Sequence, residues 1–270
     1  MLALMRDEGL SVSKPISFQE YLRQHNLGNH DTAASISVDS LARLDPLLRN
    51  NGVFIFRLGQ ARESRGTAFS CVNYGSEMLL PILIDSQVFD CAKIDGFFPK
   101  VPYSSIQPFF LIPNLTETST VNLGLATGLI PFALGINESI SIPATGQGVY
   151  SFSFLPNGKQ SKLLEHNNGQ VEIDSVFTAR RDGQDCLFVV EAKCSTKFDS
   201  LAKHKLAYPY FSIKPKVPEY LTVVLIYCRV IKKVDSLVYY IAECSIDRND
   251  VNSIHAEKVH AYELSKGVGF

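Results

Sequence analysis

The chain has almost no net charge: 27 Asp and Glu offset 26 Lys and Arg, leaving −1 at pH 7. A uniformly basic surface is thereby excluded, so any hold on nucleic acid must come from local basic patches or a bound cation. No apolar run approaches the roughly 20 residues that cross a bilayer. Arg6, Asp7 and Glu8 stand where a secretory leader needs its apolar core. The expected location is the compartment of synthesis, the cytoplasm, with no membrane partner. Cys71, Cys91, Cys186, Cys194, Cys228 and Cys244 include no CxxC pair and no tight spacing, and several fall inside apolar, strand-like runs. They read as reduced, small, buried side chains rather than zinc ligands. No P-loop, GxSxG, HExxH or GxGxxG occurs. Nucleotide-driven motors, elbow-type hydrolases, zincins and dinucleotide enzymes are therefore set aside.

What is present is the composition of a globular protein: 270 residues, 46% hydrophobic and 20% charged, enough for one large core or two modest ones. No internal repeat is visible, but the texture changes near residue 145. Residues 1–145 are rich in Ser, Asn, Gly and Pro between short apolar runs and read as an α+β region. Residues 146–270 alternate long strand-like runs with a basic helical stretch. In the first part, Ser17-Phe18-Gln19-Glu20 has the capping-box pattern and predicts a helix over 17–26. Asp39 opens another over about 40–49. Val53–Leu58 and Thr67–Tyr74 predict strands around a polar turn holding Arg62, Glu63, Arg65 and Gly66, a tip suited to phosphate contact or to plain solvation. Four prolines among aromatics over 97–116 predict an irregular connection, and 116–134 reads as a helix weakened by Gly124, Gly128 and Pro131. The second part predicts strands at 148–155, 171–179 and 185–193, a helix at 197–208, and strands at 221–230, 236–245 and 255–263. With the helix at 116–134, the order is αβββαβ.

Val171-Glu172-Ile173-Asp174-Ser175-Val176-Phe177 alternates, so Glu172 and Asp174 share one face of their strand. In Leu187-Phe188-Val189-Val190-Glu191-Ala192-Lys193 the same period puts Glu191 and Lys193 on one face at the end of an otherwise apolar run. An acid and a base there cost several kcal/mol unless each is paired or holds a metal. The Asp182-Gly183 turn lets the two strands pair antiparallel and brings Asp174 towards Glu191. Two converging carboxylates without His or Cys form a hard oxygen site suited to Mg²⁺. A lysine beside it can orient or deprotonate a water and stabilise charge on a pentavalent phosphate.

Val171-Glu172-Ile173-Asp174, then about seventeen residues on Val189-Val190-Glu191-Ala192-Lys193, resembles the signature of the PD-(D/E)xK nucleases, the restriction-endonuclease-like superfamily. The likeness is one of pattern over about 116–230 and is sharp only over 171–193. It implies an α/β fold with a central mixed sheet flanked by helices. It implies Asp174 and Glu191 as metal ligands, the Ala192 carbonyl as a further ligand, and Lys193 as the catalytic lysine. Ile173 stands where the family has its proline, which leaves Glu172 as an alternate or additional ligand. The following helix often faces the site with basic residues, which makes Lys197, Lys203, His204 and Lys205 DNA-contact candidates. Six lysines against one acid, Asp199, between Lys193 and Lys216 fit that use, or simply a solvated helix face.

The length and the separate first half resemble a type II restriction endonuclease: a homodimer cutting both strands of double-stranded DNA, with residues 1–145 reading the sequence, in a prokaryotic cytoplasm. A repair or Holliday-junction nuclease of the same superfamily is the alternative within the class. Outside enzymes, the alternative is a DNA-binding module on this fold that no longer hydrolyses. Cys194 and His204, ten residues apart with no orienting motif, read as a plain cysteine and histidine rather than a thiol nucleophile and its base.

Overall fold

A computed structural model describes residues 1–2, 11–158 and 162–265. Arg6, Asp7 and Glu8 lie outside the described residues. The elements in chain order are β1 (Ile16–Ser17), α1 (Phe18–Gln24), α2 (Thr32–Ile36), α3 (Pro46–Asn50), β2 (Val53–Gln60), β3 (Thr67–Asn73), β4 (Ile82–Ile84), α4 (Asp85–Val88), β5 (Ile94–Phe97), α5 (Tyr103–Phe110), α6 (Glu117–Ala126) and α7 (Leu129–Ala133). They continue with β6 (Ala144–Phe154), β7 (Leu164–Arg181), β8 (Gln184–Ser195), β9 (Ser200–Ala202), α8 (His204–Ile213), β10 (Thr222–Lys232), β11 (Ser236–Ser245) and β12 (His255–Ser265).

Ten strands form one mixed sheet in the order β1-β3-β2-β7-β8-β10-β11-β12-β5, with β6 paired to β7 off that path. Strands from residues 1–145 thus lie on both flanks of the long strands that follow. β7 and β8 pair antiparallel across the Asp182-Gly183 turn, where both residues have positive φ, and β8 pairs parallel with β10. Two apolar clusters cover the sheet. One holds Phe188, Val190, Ala192 and Ile226 together with the buried residues of α6 and α7. The other holds Val189, Leu225 and Tyr227 with α8, β2 and β3. The alternation of these residues along β8 and β10 is the period of two that a sheet buried on both faces imposes. No helix among the described residues is long and apolar enough to cross a membrane.

Several local expectations need correction. Ser17 does precede α1, but its hydroxyl donates to the Arg65 carbonyl at 2.7 Å instead of capping, and Glu20 pairs with Arg23. Asp39 opens no helix. Residues 41–43 form a single 3-10 turn, and α3 begins after Asp45, whose carboxylate accepts from the Leu47 amide at 2.8 Å. The 97–116 connection contains a helix, α5. The helix expected over 116–134 is two, broken at Gly128, where φ is +81°. The helix expected at 197–208 starts at His204, because Ser200–Ala202 pairs antiparallel with Ile82–Ile84 and the Ala202 amide donates to the Asp39 carbonyl. All six cysteines are free, and all but Cys91 and Cys194 are buried.

β7 changes partners along its length. One edge is paired with β6 from Leu164 to Val176. The other meets β2 at Asn167 and β8 from Ser175 onward. Between those points no strand among the described residues pairs with this edge, and a cleft opens there. β2 reaches β7 at Gly59, whose φ is +78° and where any Cβ would lie 2.4 Å from the Asn167 carbonyl oxygen. Only glycine tolerates both the dihedral and the approach.

Candidate active site

The last ladder pair before β7 leaves β8 is Ser175 with Val190, so Asp174 and Glu191 are the next residue on each strand, at the mouth of a fork. Asp174 reaches across it: its Oδ2 accepts the Ala192 amide at 2.8 Å, a place the partner strand's carbonyl would otherwise fill. Glu191 points away from the cluster that holds Val190 and Ala192 and is 4% exposed. Burial pushes its carboxyl up from 4.5 to about 7, against the pull of Lys205 and Lys193. Lys193 Nζ lies 3.1 Å from Glu191 Oε1, close enough to pair, yet Oε1 is buried with no aligned hydrogen-bond donor.

Lys193 is held from a second side by Glu117, whose Oε2 is 3.0 Å away. Glu117 sits in the first turn of α6, after Thr116, which caps the helix through the Ser119 amide at 3.1 Å. Burial alone would lower the Lys193 pKa, but the carboxylates of Glu191, Glu117 and Asp174 together outweigh it and the net shift is upward. The lysine is a fixed cation. Glu117 had no motif to announce it; a capped helix start bearing an acid, in the helix before the strand pair, was the available signal.

The DNA-contact candidates separate. Lys197 is exposed in the turn after β8. Lys203 is buried, with Nζ donating to the Asn252 carbonyl at 2.8 Å and burial lowering its pKa to about 8. His204 is buried among Phe54, Phe56 and Tyr208, its pKa pushed down to about 3 first by burial. Neither side chain offers itself to a polyanion at the surface. The physical reason is the later start of α8, which turns both residues inward. Lys205 alone of α8 faces the fork: its pKa is raised chiefly by Glu191, and Asp39 is 3.9 Å away. Glu172 is exposed and lines the cleft with Lys205 and Asp39.

Among the described residues no three His, Cys, Asp or Glu side chains gather closely enough to hold a metal by themselves. The fork offers two carboxylates, a lysine and backbone. That is a set with few protein ligands, of the kind Mg²⁺ accepts when water and a phosphate complete its shell.

These residues fall inside a recognised domain. The chain belongs to the family described as a domain of unknown function, DUF6997, whose model matches residues 99–263. The match begins just after β5 and takes in Glu117, Asp174, Glu191, Lys193 and Lys205. No curated protein and no solved structure matches the chain.

Proposed function

We propose that this protein is a Mg²⁺-dependent endonuclease of the PD-(D/E)xK type that hydrolyses phosphodiester bonds in double-stranded DNA. The observation that carries the reading is the fork. Asp174 and Glu191 occupy adjacent positions where two antiparallel strands part, and Lys193 stands 3.1 Å from the buried Glu191 carboxylate. The order α6, β6, β7, β8, α8, β10, with β8 and β10 parallel, supports the same superfamily.

Asp174, Glu191 and the Ala192 carbonyl would hold the ion, with Glu172 as an additional oxygen at the cleft. The ion supplies Lewis-acid stabilisation of the phosphate and a more acidic water. Near neutral pH Glu191 is divided between its acid and its base, so taking up a dication displaces a proton and binding strengthens as pH rises. Lys193, kept charged by three acids, serves as a donor: it orients the attacking water and holds negative charge on the phosphate oxygens. A lysine with a raised pKa is a poor base, which leaves deprotonation of the water to other groups.

The finer reading is a sequence-specific, type II restriction-like enzyme acting as a homodimer. Long duplex DNA incubated with the protein and Mg²⁺ tests both levels, with EDTA, Asp174→Ala and Lys193→Ala as controls. Discrete metal-dependent fragments lost in both variants support a site-specific nuclease. Cutting confined to branched or damaged DNA points to a repair or junction enzyme. Intact DNA despite tight binding leaves a binding module, and neither cutting nor binding overturns the DNA reading.

A further inference from the structure

The cleft beside the fork does not end there. It has a volume of about 340 Å³ and is lined at one end by Lys205, Asp39 and Glu172, and further in by Arg57 and Gln170. Arg57 and Gln170 also line a second cleft of about 310 Å³, which continues to Gly59, Gln60 and Thr67 at the β2–β3 hairpin. The two clefts meet at Arg57 and Gln170, one on the unpaired edge of β7 and the other where β2 joins it, and form the two ends of a groove. Its character changes along its length. The fork end carries carboxylates, whereas the hairpin end has no acid in its lining and is walled by amides, glycines and the Arg57 guanidinium.

Arg57 is the unusual member. It comes from β2, in a run that is otherwise buried and apolar, and its side chain is itself half-buried. Its guanidinium donates to Ser37 Oγ at 3.1 Å, and no carboxylate among the described residues lies within ion-pairing distance. A half-buried guanidinium without an anion keeps a desolvation cost that a bound anion would remove. Its planar set of donors suits the oxygens of a phosphate. The lining therefore contains a cation with no ion-paired carboxylate among the described residues.

We infer that this groove takes the backbone of one nucleic-acid strand leading away from the fork, with Arg57 seating a phosphate near the one that reacts. This rests on the nuclease reading for its direction but not for its test. A phosphate seated at Arg57 belongs to the backbone of a single strand. The basic hairpin turn with Arg62 and Arg65 lies beyond the far end, and Arg62 there is paired with Glu165 on β7.

The test is metal-free binding of a short fluorescein-labelled single-stranded DNA to the full chain in EDTA, read by anisotropy, for wild type, Arg57→Ala, Arg57→Lys and the exposed control Arg49→Ala. Arg57→Ala should bind about tenfold more weakly and lower the slope of log K against log salt by about 0.7, the loss of one phosphate contact. Arg57→Lys should restore part of the affinity, and Arg49→Ala should change nothing. Replacing single phosphates by methylphosphonates should weaken wild type at one position to which Arg57→Ala is indifferent. A thermal melt within a few degrees of wild type certifies the fold of each variant. Wild-type affinity in Arg57→Ala, no binding by wild type, or equal sensitivity of both proteins to the methylphosphonates would overturn the inference. Binding that depends on Arg57 without any cleavage of duplex DNA in Mg²⁺ would leave the groove standing and remove the nuclease. Cleavage by a chain whose Arg57→Ala variant binds normally would do the reverse.

Discussion

Glu191 and Lys193 on β8 stand in register with Tyr227 and Arg229 on the neighbouring β10, and the two strands treat their charges in opposite ways. Arg229 is 3% exposed and pairs at 2.8 Å with Asp85, which has no exposure at all. The acid also accepts from Tyr227 at 2.6 Å and from the Asp199 amide at 2.7 Å, while Arg229 donates to the Ser200 carbonyl at 3.2 Å. Every strong group in that network is met, and it ties the start of α4, β9 and β10 together. Glu191, one strand away, has its buried Oε1 met by the Lys193 ammonium at 3.1 Å, but in poor hydrogen-bond alignment. A closed network can be explained by folding alone, whereas an open one asks for something the chain does not contain.

The comparison can be broken by substitution. The largest effect should fall on activity: Asp174→Ala or Lys193→Ala should lower Mg²⁺-dependent DNA cleavage, measured per folded molecule, by about a thousandfold or more. Arg229→Ala should do the opposite. Removing one partner of a buried pair strands the other, so denaturant titration should read a loss of about 3–5 kcal/mol. Cleavage per folded molecule should stay near normal.

A pH series sharpens the contrast. The folded carboxyl of Glu191 is raised from 4.5 to about 7, so its contribution to stability is fully present below 4.5 and is lost as pH rises through 7. Between pH 4.5 and 8 the wild type should lose about 3 kcal/mol from this group. Glu191→Gln should flatten that part of the curve, and a wild-type curve already flat would show the carboxylate to be better satisfied than its geometry implies. Gly59→Ala should cost about 2 kcal/mol through its dihedral and the collision with β7. The loss should be read in the melt, together with weaker single-strand binding. The smallest effect belongs to Lys197→Ala, whose exposed side chain predicts less than a threefold change in DNA affinity by anisotropy.

The strands that carry Asp174, Glu191 and Lys193 were legible because each alternates over a stretch with a clear period of two and a tight turn joins them. The polar start of β7, through Asn167, Asn168 and Gln170, was not. Asn167 and Gln170 are held by β2 and β6, while Asn168 takes a positive φ of 43° beside the β6–β7 register shift, and a sequence read locally carries no trace of partners supplied from elsewhere. The helix after the lysine was misplaced for a related reason. Phe198, Leu201 and Tyr208 fall at helical spacing, but they belong to a turn, a short strand paired with β4, and a helix. Lys203 and His204 consequently turned from surface candidates into buried groups, while Lys205 kept its place near Glu191. Glu117 and Arg57 come from distant parts of the chain and enter the site only through the sheet order, which single-residue patterns do not encode.

That sheet order also bears on how the chain is made. Of the strands synthesised first, β1, β2, β3 and β5 end up at the flanks of the large sheet, with β2 against β7 and β5 against β12, and β4 pairs with β9. The middle, made of hairpins close in sequence such as β7–β8 and β10–β11, emerges from the ribosome last. Early segments must therefore wait for late ones. A nascent chain stopped before β7 has an apolar β2–β3 hairpin with no sheet to join, and one stopped before β12 has nowhere to put β5. Long-range pairing of this kind makes folding slow and leaves the apolar strands of the first half exposed until their late partners arrive.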